Sequence, residues 1–160
     1  MNTFAPPPVA PVSLGEREFD FRPQDFAKVR TLIYQHAGIS LHEGKQAMVY
    51  SRLSRRLRET GHQSFEVYLR DLEQRGSAQE WQEFVNCLTT NLTSFFREEH
   101  HFHALTDWLK ERGNQSTRIW CCAASTGEEP YSLAMTCAEV MGLHGQVKIL
   151  ATDIDTHVLA

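Results

Sequence analysis

RIWCCAASTGEEPYSLAMTCAEVMGLHGQVKILATD, residues 118–153, is the stretch that decides the fold. Arg118 to Ala123 is a short apolar run between polar residues, which suits a buried strand. Ala124 to Pro130 is small and acidic and reads as a turn. Tyr131 to Met141 has helical character and is followed by Gly142 and Gly145. Val147 to Thr152 reads as a second strand, with Asp153 at its end. Strand, helix and strand over about 35 residues is the size of one βαβ unit, and the right-handed crossover rule makes its strands parallel. Parallel sheets are buried on both faces, so two strands do not complete one. The expectation is a larger α/β domain truncated at residue 160.

Upstream of this unit the periodicity is helical. Pro23 suits an early helix position, and Phe26, Val29, Leu32, Ile33 and Ala37 keep helical spacing up to a stop at Gly38. A second helix is predicted over Lys45 to Thr60, with Val49, Leu53 and Leu57 on one stripe and Gly61 as its break. Phe65, Tyr68, Leu69 and Leu72 mark a third, entered at Ser64 and ended near Gly76. Ser77 and Glu80 form an S-x-x-E capping box before a fourth helix presenting Trp81, Phe84, Val85 and Leu88. Another helix is expected around 98–112. The predicted organisation is a flexible, proline-rich tail over 1–20, a small all-α bundle over 21–88, and the start of an α/β domain over 89–160. The fold class is α+β overall.

Composition excludes several function classes. The 160 residues are 41% hydrophobic and 22% charged, with a net charge of −4, which argues against a generally basic nucleic-acid binder. No apolar run approaches the roughly 18 residues needed to cross a bilayer, and the first 20 residues lack a signal peptide's basic and apolar regions. The expected location is the cytoplasm. Cys87, Cys121, Cys122 and Cys137 show no metal-ligand spacing and read as reduced, buried thiols, with Cys121 and Cys122 on opposite faces of their strand. His100, His101 and His103 lack a partner that would complete a metal motif, so no metal site is expected.

Two features of the βαβ unit point to a ligand. The loop Ala123 to Pro130 follows a strand, where open α/β sheets bind ligands, and its small residues permit close approach. It has one glycine and two acids, Glu128 and Glu129, where a pyrophosphate would otherwise sit; carboxylates suit a cationic or polyhydroxyl ligand instead. Asp153 occupies the strand end from which an acidic side chain holds ribose hydroxyls. Each feature also has a plain structural reading, as a turn and as a helix cap.

Three ordered strings make the comparison specific: LTTNLTSFFREEHHF (88–102), AASTGEEPYSLAM (123–135) and ATDIDTHVL (151–159). They resemble successive signatures of the chemotaxis receptor methyltransferases, the CheR family. LIYQHAGISL and MVYSRLSRRLR fit that family's N-terminal domain, and only the proline-rich tail lies outside the resemblance. It implies a Rossmann-like domain dependent on S-adenosyl-L-methionine (SAM), with S-adenosyl-L-homocysteine as product. The implied activity is methyl esterification of glutamate side chains on chemoreceptors. The resemblance implies cofactor contacts from Asn91, Thr93, Arg97, Glu129 and Asp153, with Arg97 also catalytic; Glu128 is the alternative to Glu129. A non-catalytic SAM-binding signalling module and an RNA methyltransferase are the competing readings.

One further pattern concerns a partner. Lys45, Arg52 and Arg56 align within roughly 40° on the second helix, with Arg55 beside them, at about 100° per residue. From charge alone this is a solvated basic face or a footprint for an acidic partner. The resemblance favours docking of Arg52, Arg55 and Arg56 onto the receptor's acidic methylation region. The protein is expected to be monomeric, without membrane insertion or nucleic acid, since no aromatic platform accompanies the arginines.

Overall fold

A computed structural model describes residues 18–159. Four helices come first: α1 (Pro23–Ala37), α2 (Gln46–Thr60), α3 (Phe65–Arg75) and α4 (Ala78–Leu88). Their boundaries have local chemical causes. Pro23 starts α1 where no intrahelical N–H is required, and the Asp25 carboxylate accepts from the Arg22 backbone N–H at 2.8 Å. Gly38 and Gly61 end α1 and α2 in the left-handed region, φ 70° and 75°, which costs a side-chain-free residue little. Ser64 Oγ accepts from the Val67 N–H at 3.3 Å and begins α3.

The apolar stripes converge on one core. Val29, Ile33, Val49, Leu53, Leu57, Phe65, Tyr68 and Phe84 are completely buried. Phe21 joins them with its ring 4.5 Å from that of Phe65, and Phe19 meets Phe65 edge-on at 6.2 Å. Residues 1–17 of the expected tail lie outside the described residues, whereas Phe19, within the span read as tail, is 8% exposed and belongs to the core.

The capping box at α4 forms only by half. Ser77 Oγ accepts from the Glu80 N–H at 3.1 Å, but the Glu80 carboxylate turns inward. It accepts from Tyr68 Oη at 2.9 Å and from Arg56 Nε at 3.0 Å, with Arg56 Nη2 as a further donor. A charged hydrogen-bonded pair that is mostly removed from water outweighs a solvated cap. Burial, reinforced by Glu80, pushes the Tyr68 phenol well above its ordinary pKa, so it stays a donor.

The second half comprises α5 (His100–Arg112), β1 (Thr117–Cys121), α6 (Glu128–Met141) and β2 (Val147–Ala151). β1 and β2 pair in parallel from Thr117↔Val147 to Cys121↔Ala151, with α6 as the crossover and α5 packed against it. α6 begins three residues before the predicted Tyr131. Glu128, Glu129 and Pro130 form its first turn, where acids favour the helix dipole and proline forfeits no bond. Only one side of the two-stranded sheet is packed: Cys121 is buried, while Trp120 and Leu150 are 68% and 60% exposed.

The halves meet at α4. Asn86 donates to Thr156 Oγ1 at 3.0 Å and accepts from the Thr156 N–H at 3.2 Å; Gln82 donates to the Ile154 carbonyl at 2.8 Å. Among the described residues no helix is long and apolar enough to cross a membrane. Glu80→Ala leaves Arg56 and Tyr68 without their shared acceptor. It is expected to destabilise the helical half by about 2 kcal/mol, less than the ~3–5 for a fully buried pair, as measured by urea unfolding.

Candidate functional site

The residues between α4 and α5 leave the bundle at Thr89, pass the loops beyond the carboxyl ends of both strands and enter α5 at His100. Their backbone takes conformations rare for side-chain-bearing residues: φ is 53° at Phe96 and 57° at Glu98. Ser125, in the loop after β1, has φ 46°. Such geometry costs of order 1–3 kcal/mol per residue and persists where surroundings enforce it. Here the Phe96 N–H donates to the buried Ser132 Oγ at 3.0 Å, and Ser125 Oγ donates to the Asn91 carbonyl at 3.1 Å. The crossing segment is thereby tied to both α6 and the first strand's loop.

A cleft of about 530 Å³ lies beneath this segment. Asn91, Thr93, Arg97, Glu129 and Asp153 all line it, so the structure brings every expected cofactor residue to one place. Arg97 is half exposed, and its nearest ion-pair partner among the described residues is Glu98 at 4.0 Å, which leaves most of its guanidinium donors free. Glu129 enters the cleft with its Oε1 3.4 Å from the Cys121 thiol, whereas Glu128 turns away to accept from Thr126 Oγ1 at 2.6 Å. That separates the two acids by orientation. Burial, with Glu129 as a second cause, pushes the Cys121 thiol up to about 11, so it acts as a donor and not a thiolate.

Asp153 and Asn91 have structural duties as well. Asp153 Oδ2 accepts from the Ser125 N–H at 2.8 Å and Oδ1 from the Asp155 N–H at 2.9 Å, leaving each oxygen one further lone pair. The Asn91 amide donates to Asp155 Oδ2 at 2.6 Å. Asp155 carries no signal of its own in the sequence, although it sits two residues from Asp153. It is 2% exposed and also accepts from Thr89 Oγ1 at 2.7 Å and the His157 N–H at 2.9 Å. Burial alone would raise its pKa, but the Asn91, Thr89 and His157 bonds more than offset this and hold it below the ordinary carboxylate value. Its stabilising contribution is therefore present above the unfolded pKa and is lost as pH falls through the lowered folded one.

The helical half supplies the cleft's other wall. Ile39, Ser40, Leu41, His42, Lys45 and Met48 line it from the end of α1 to the start of α2. Nothing in the local pattern of these residues indicated a ligand site, because their role arises from docking of the two halves.

The basic stripe on α2 is largely used internally. Arg52 Nη1 donates to the Thr89 carbonyl, with the Cys87 carbonyl at 3.5 Å, and its Nη2 reaches Thr90 Oγ1 at 3.3 Å. Arg56 pairs with Glu80 and with Glu59 at 3.2 Å, its side chain only 16% exposed. Arg55 stands 77% exposed, bonded to Glu59 at 2.8 Å. The sequence lacks acids between 45 and 58, but Glu59 and Glu80 reach the stripe from beyond that span and pair with Arg55 and Arg56. His100 and His103 lie 3.9 Å and 3.7 Å from Glu98 and Glu99 at the surface.

A small helical bundle docked on a βαβ unit, with a cleft at the carboxyl ends of its strands, is the arrangement of an all-α domain followed by the start of a Rossmann-like α/β domain. Two family models match the chain in succession: "CheR methyltransferase, all-alpha domain" over residues 24–89, and "CheR methyltransferase, SAM binding domain" over 91–160. The chain belongs to the CheR methyltransferase family. It is similar to a chemotaxis protein methyltransferase of Escherichia coli K12, 53% identical over 84% of this chain and 47% of that protein. It also matches chemotaxis protein methyltransferase 2 of Pseudomonas aeruginosa, 49% identical over 99% of this chain and 56% of that protein. A probable chemotaxis protein methyltransferase of Rhizobium etli is 42% identical over 81% and 51%. The chain thus spans about half the length of the curated relatives it matches.

The four thiols differ in access. Cys121 and Cys137 are buried and Cys87 is partly so, but Cys122 is exposed, against the expectation that all would be covered. Cys121 packs inward as the last residue of β1, and Cys122, the first residue past the strand, points out. Iodoacetamide at pH 7.5 is expected to modify Cys122 at least about tenfold faster than Cys121, read by peptide mass spectrometry.

Proposed function

We propose that this chain forms part of a SAM site and that the protein carrying it esterifies glutamate side chains of chemotaxis receptors. The observation that carries the reading is the convergence of Arg97, Glu129 and Asp153 on one cleft between the helical and α/β halves. That donor set fits the cofactor. A guanidinium with free donors suits its carboxylate, Glu129 its cationic groups, and the remaining lone pairs of Asp153 the ribose hydroxyls. The volume lies within the roughly 300–1,000 Å³ usual for small-molecule sites.

The bound cofactor would supply an electrophilic methyl group on a sulfonium centre. A glutamate side chain has an unperturbed pKa of about 4.3 and is already an anionic nucleophile at pH 7, so no general base is required. Charge is lost as carboxylate and sulfonium react, so a cleft that excludes water favours transfer. The protein's contribution is alignment of oxygen, methyl and sulfur. Arg97 orients the donor, Thr93 and Asn91 shape the wall beside it, and Asp153 anchors the nucleoside end. Docking of an acidic receptor helix falls first on Arg55, the most exposed of the three arginines; Arg52 and Arg56 shape the surface around it.

Arg97→Ala and Asp153→Ala in the full-length protein are each expected to lower methyl transfer to receptor-rich membranes by about 100-fold, the scale of losing one charged contact at a reacting centre. The product should release labelled methanol in mild base. Near-normal turnover in both variants sinks the site assignment, and base-stable label in RNA sinks the substrate. Arg55→Glu should weaken methylation at moderate salt while S-adenosylhomocysteine affinity stays within twofold; unchanged methylation removes Arg55 from docking.

A further inference from the structure

Thr89 to Thr93 carries two of the expected cofactor residues, yet it has no helix or strand to hold it. Its path is fixed by a set of charged hydrogen bonds. On its bundle side, the Arg52 guanidinium donates to the Thr89 carbonyl and reaches the Thr90 hydroxyl. On the α/β side, Asp155 takes the Asn91 amide at 2.6 Å and the Thr89 hydroxyl at 2.7 Å. The single Thr89 hydroxyl proton has a second acceptor, the Asn86 carbonyl at 2.8 Å, and the charged oxygen is the stronger of the two. Asp155 does not line the cleft, being enclosed between this segment and its own short 3₁₀ turn at Thr156–Val158.

We propose that Asp155 is a positioning residue: its buried carboxylate clasps Thr89 and Asn91 and so sets where Asn91, Thr93 and Arg97 stand opposite Asp153. The clasp has a chemical signature that simple packing lacks. It needs an acceptor at 155 and a donor at 91, and the two roles are exchangeable between an aspartate and an asparagine of nearly equal size. This inference rests on the cofactor reading above, so its test includes a readout that needs no ligand.

Four forms of the full-length protein decide it: wild type, Asp155→Asn, Asn91→Asp, and the double variant exchanging the two residues. Calorimetry with S-adenosylhomocysteine is expected to show at least tenfold weaker binding in Asn91→Asp, where two carboxylates face each other, and several-fold weaker binding in Asp155→Asn. The exchange variant should recover most of the loss, a coupling that additive effects cannot produce. Hydrogen exchange should show residues 89–97 opened in both single variants and reprotected in the exchange, with α1–α3 unchanged. Binding within twofold of wild type in both single variants overturns the proposal, as does an exchange variant no better than the weaker single. If wild type itself fails to bind, the cofactor reading falls, and protection of 89–97 still decides the clasp: unaltered protection in Asp155→Asn overturns it.

Discussion

A carboxylate that is 2% exposed cannot keep its charge unless the protein replaces the water it has lost, and at Asp155 three donors do so. Their origins matter. One is the backbone of its own turn and two come from the segment leaving α4, more than 60 residues earlier in the chain. Leaving such a group unpaired would cost several kcal/mol, so the strand end and the crossing segment are held in register by a penalty as much as by an attraction. The Asn86 and Thr156 pair, which exchanges two hydrogen bonds, extends the same seam onto α4. The cleft lies beside this seam.

Backbone strain is concentrated next to this seam. Phe96, Glu98 and Ser125 each adopt a left-handed backbone without being glycine, and the first and last are held by named bonds to Ser132, Asn91 and Asp153. A segment free to relax would leave such conformations. Held by these bonds, the segment places Arg97 on the wall of the cleft.

The features legible in the sequence were those set by local rules. Helical spacing of Val29 and Ile33, or of Val49, Leu53 and Leu57, needs only a 3.6-residue period and a common core, and Gly38 and Gly61 end their helices for backbone reasons. The parallel βαβ unit was legible from two short apolar runs around a helical one. Errors arose where a residue had two possible partners. Glu80 matched a capping box by spacing, but Arg56 and Tyr68 offered a drier site. Glu128 to Pro130 looked like loop because proline and paired acids usually do, yet each is suited to a helix's first turn. Asn91, Thr93 and Arg97 are reached only through the family resemblance, whereas the Glu128–Glu129 pair and Asp153 already stand out as acids beyond the strand ends, a weak sign that the resemblance makes specific. The wall from Ile39 to Met48 had no local sign, since it acquires meaning only when the halves dock.

The two aspartates at the end of β2 show why spacing could not separate cleft from seam. In an extended chain, residues two apart face the same way, so Asp153 and Asp155 ought to share an environment. Asp153 breaks that symmetry itself. Its Oδ1 accepts from the Asp155 N–H in a side-chain-to-backbone turn just beyond the strand, and the residues that follow lie against α4. Its other oxygen accepts from the Ser125 N–H and holds the first strand's loop beside the second. One carboxylate therefore helps build the turn that holds the other, while itself lining the cleft. Replacing Asp153 would therefore disturb the frame as well as the cleft wall, whereas Asp155 belongs to the frame and lies off that wall.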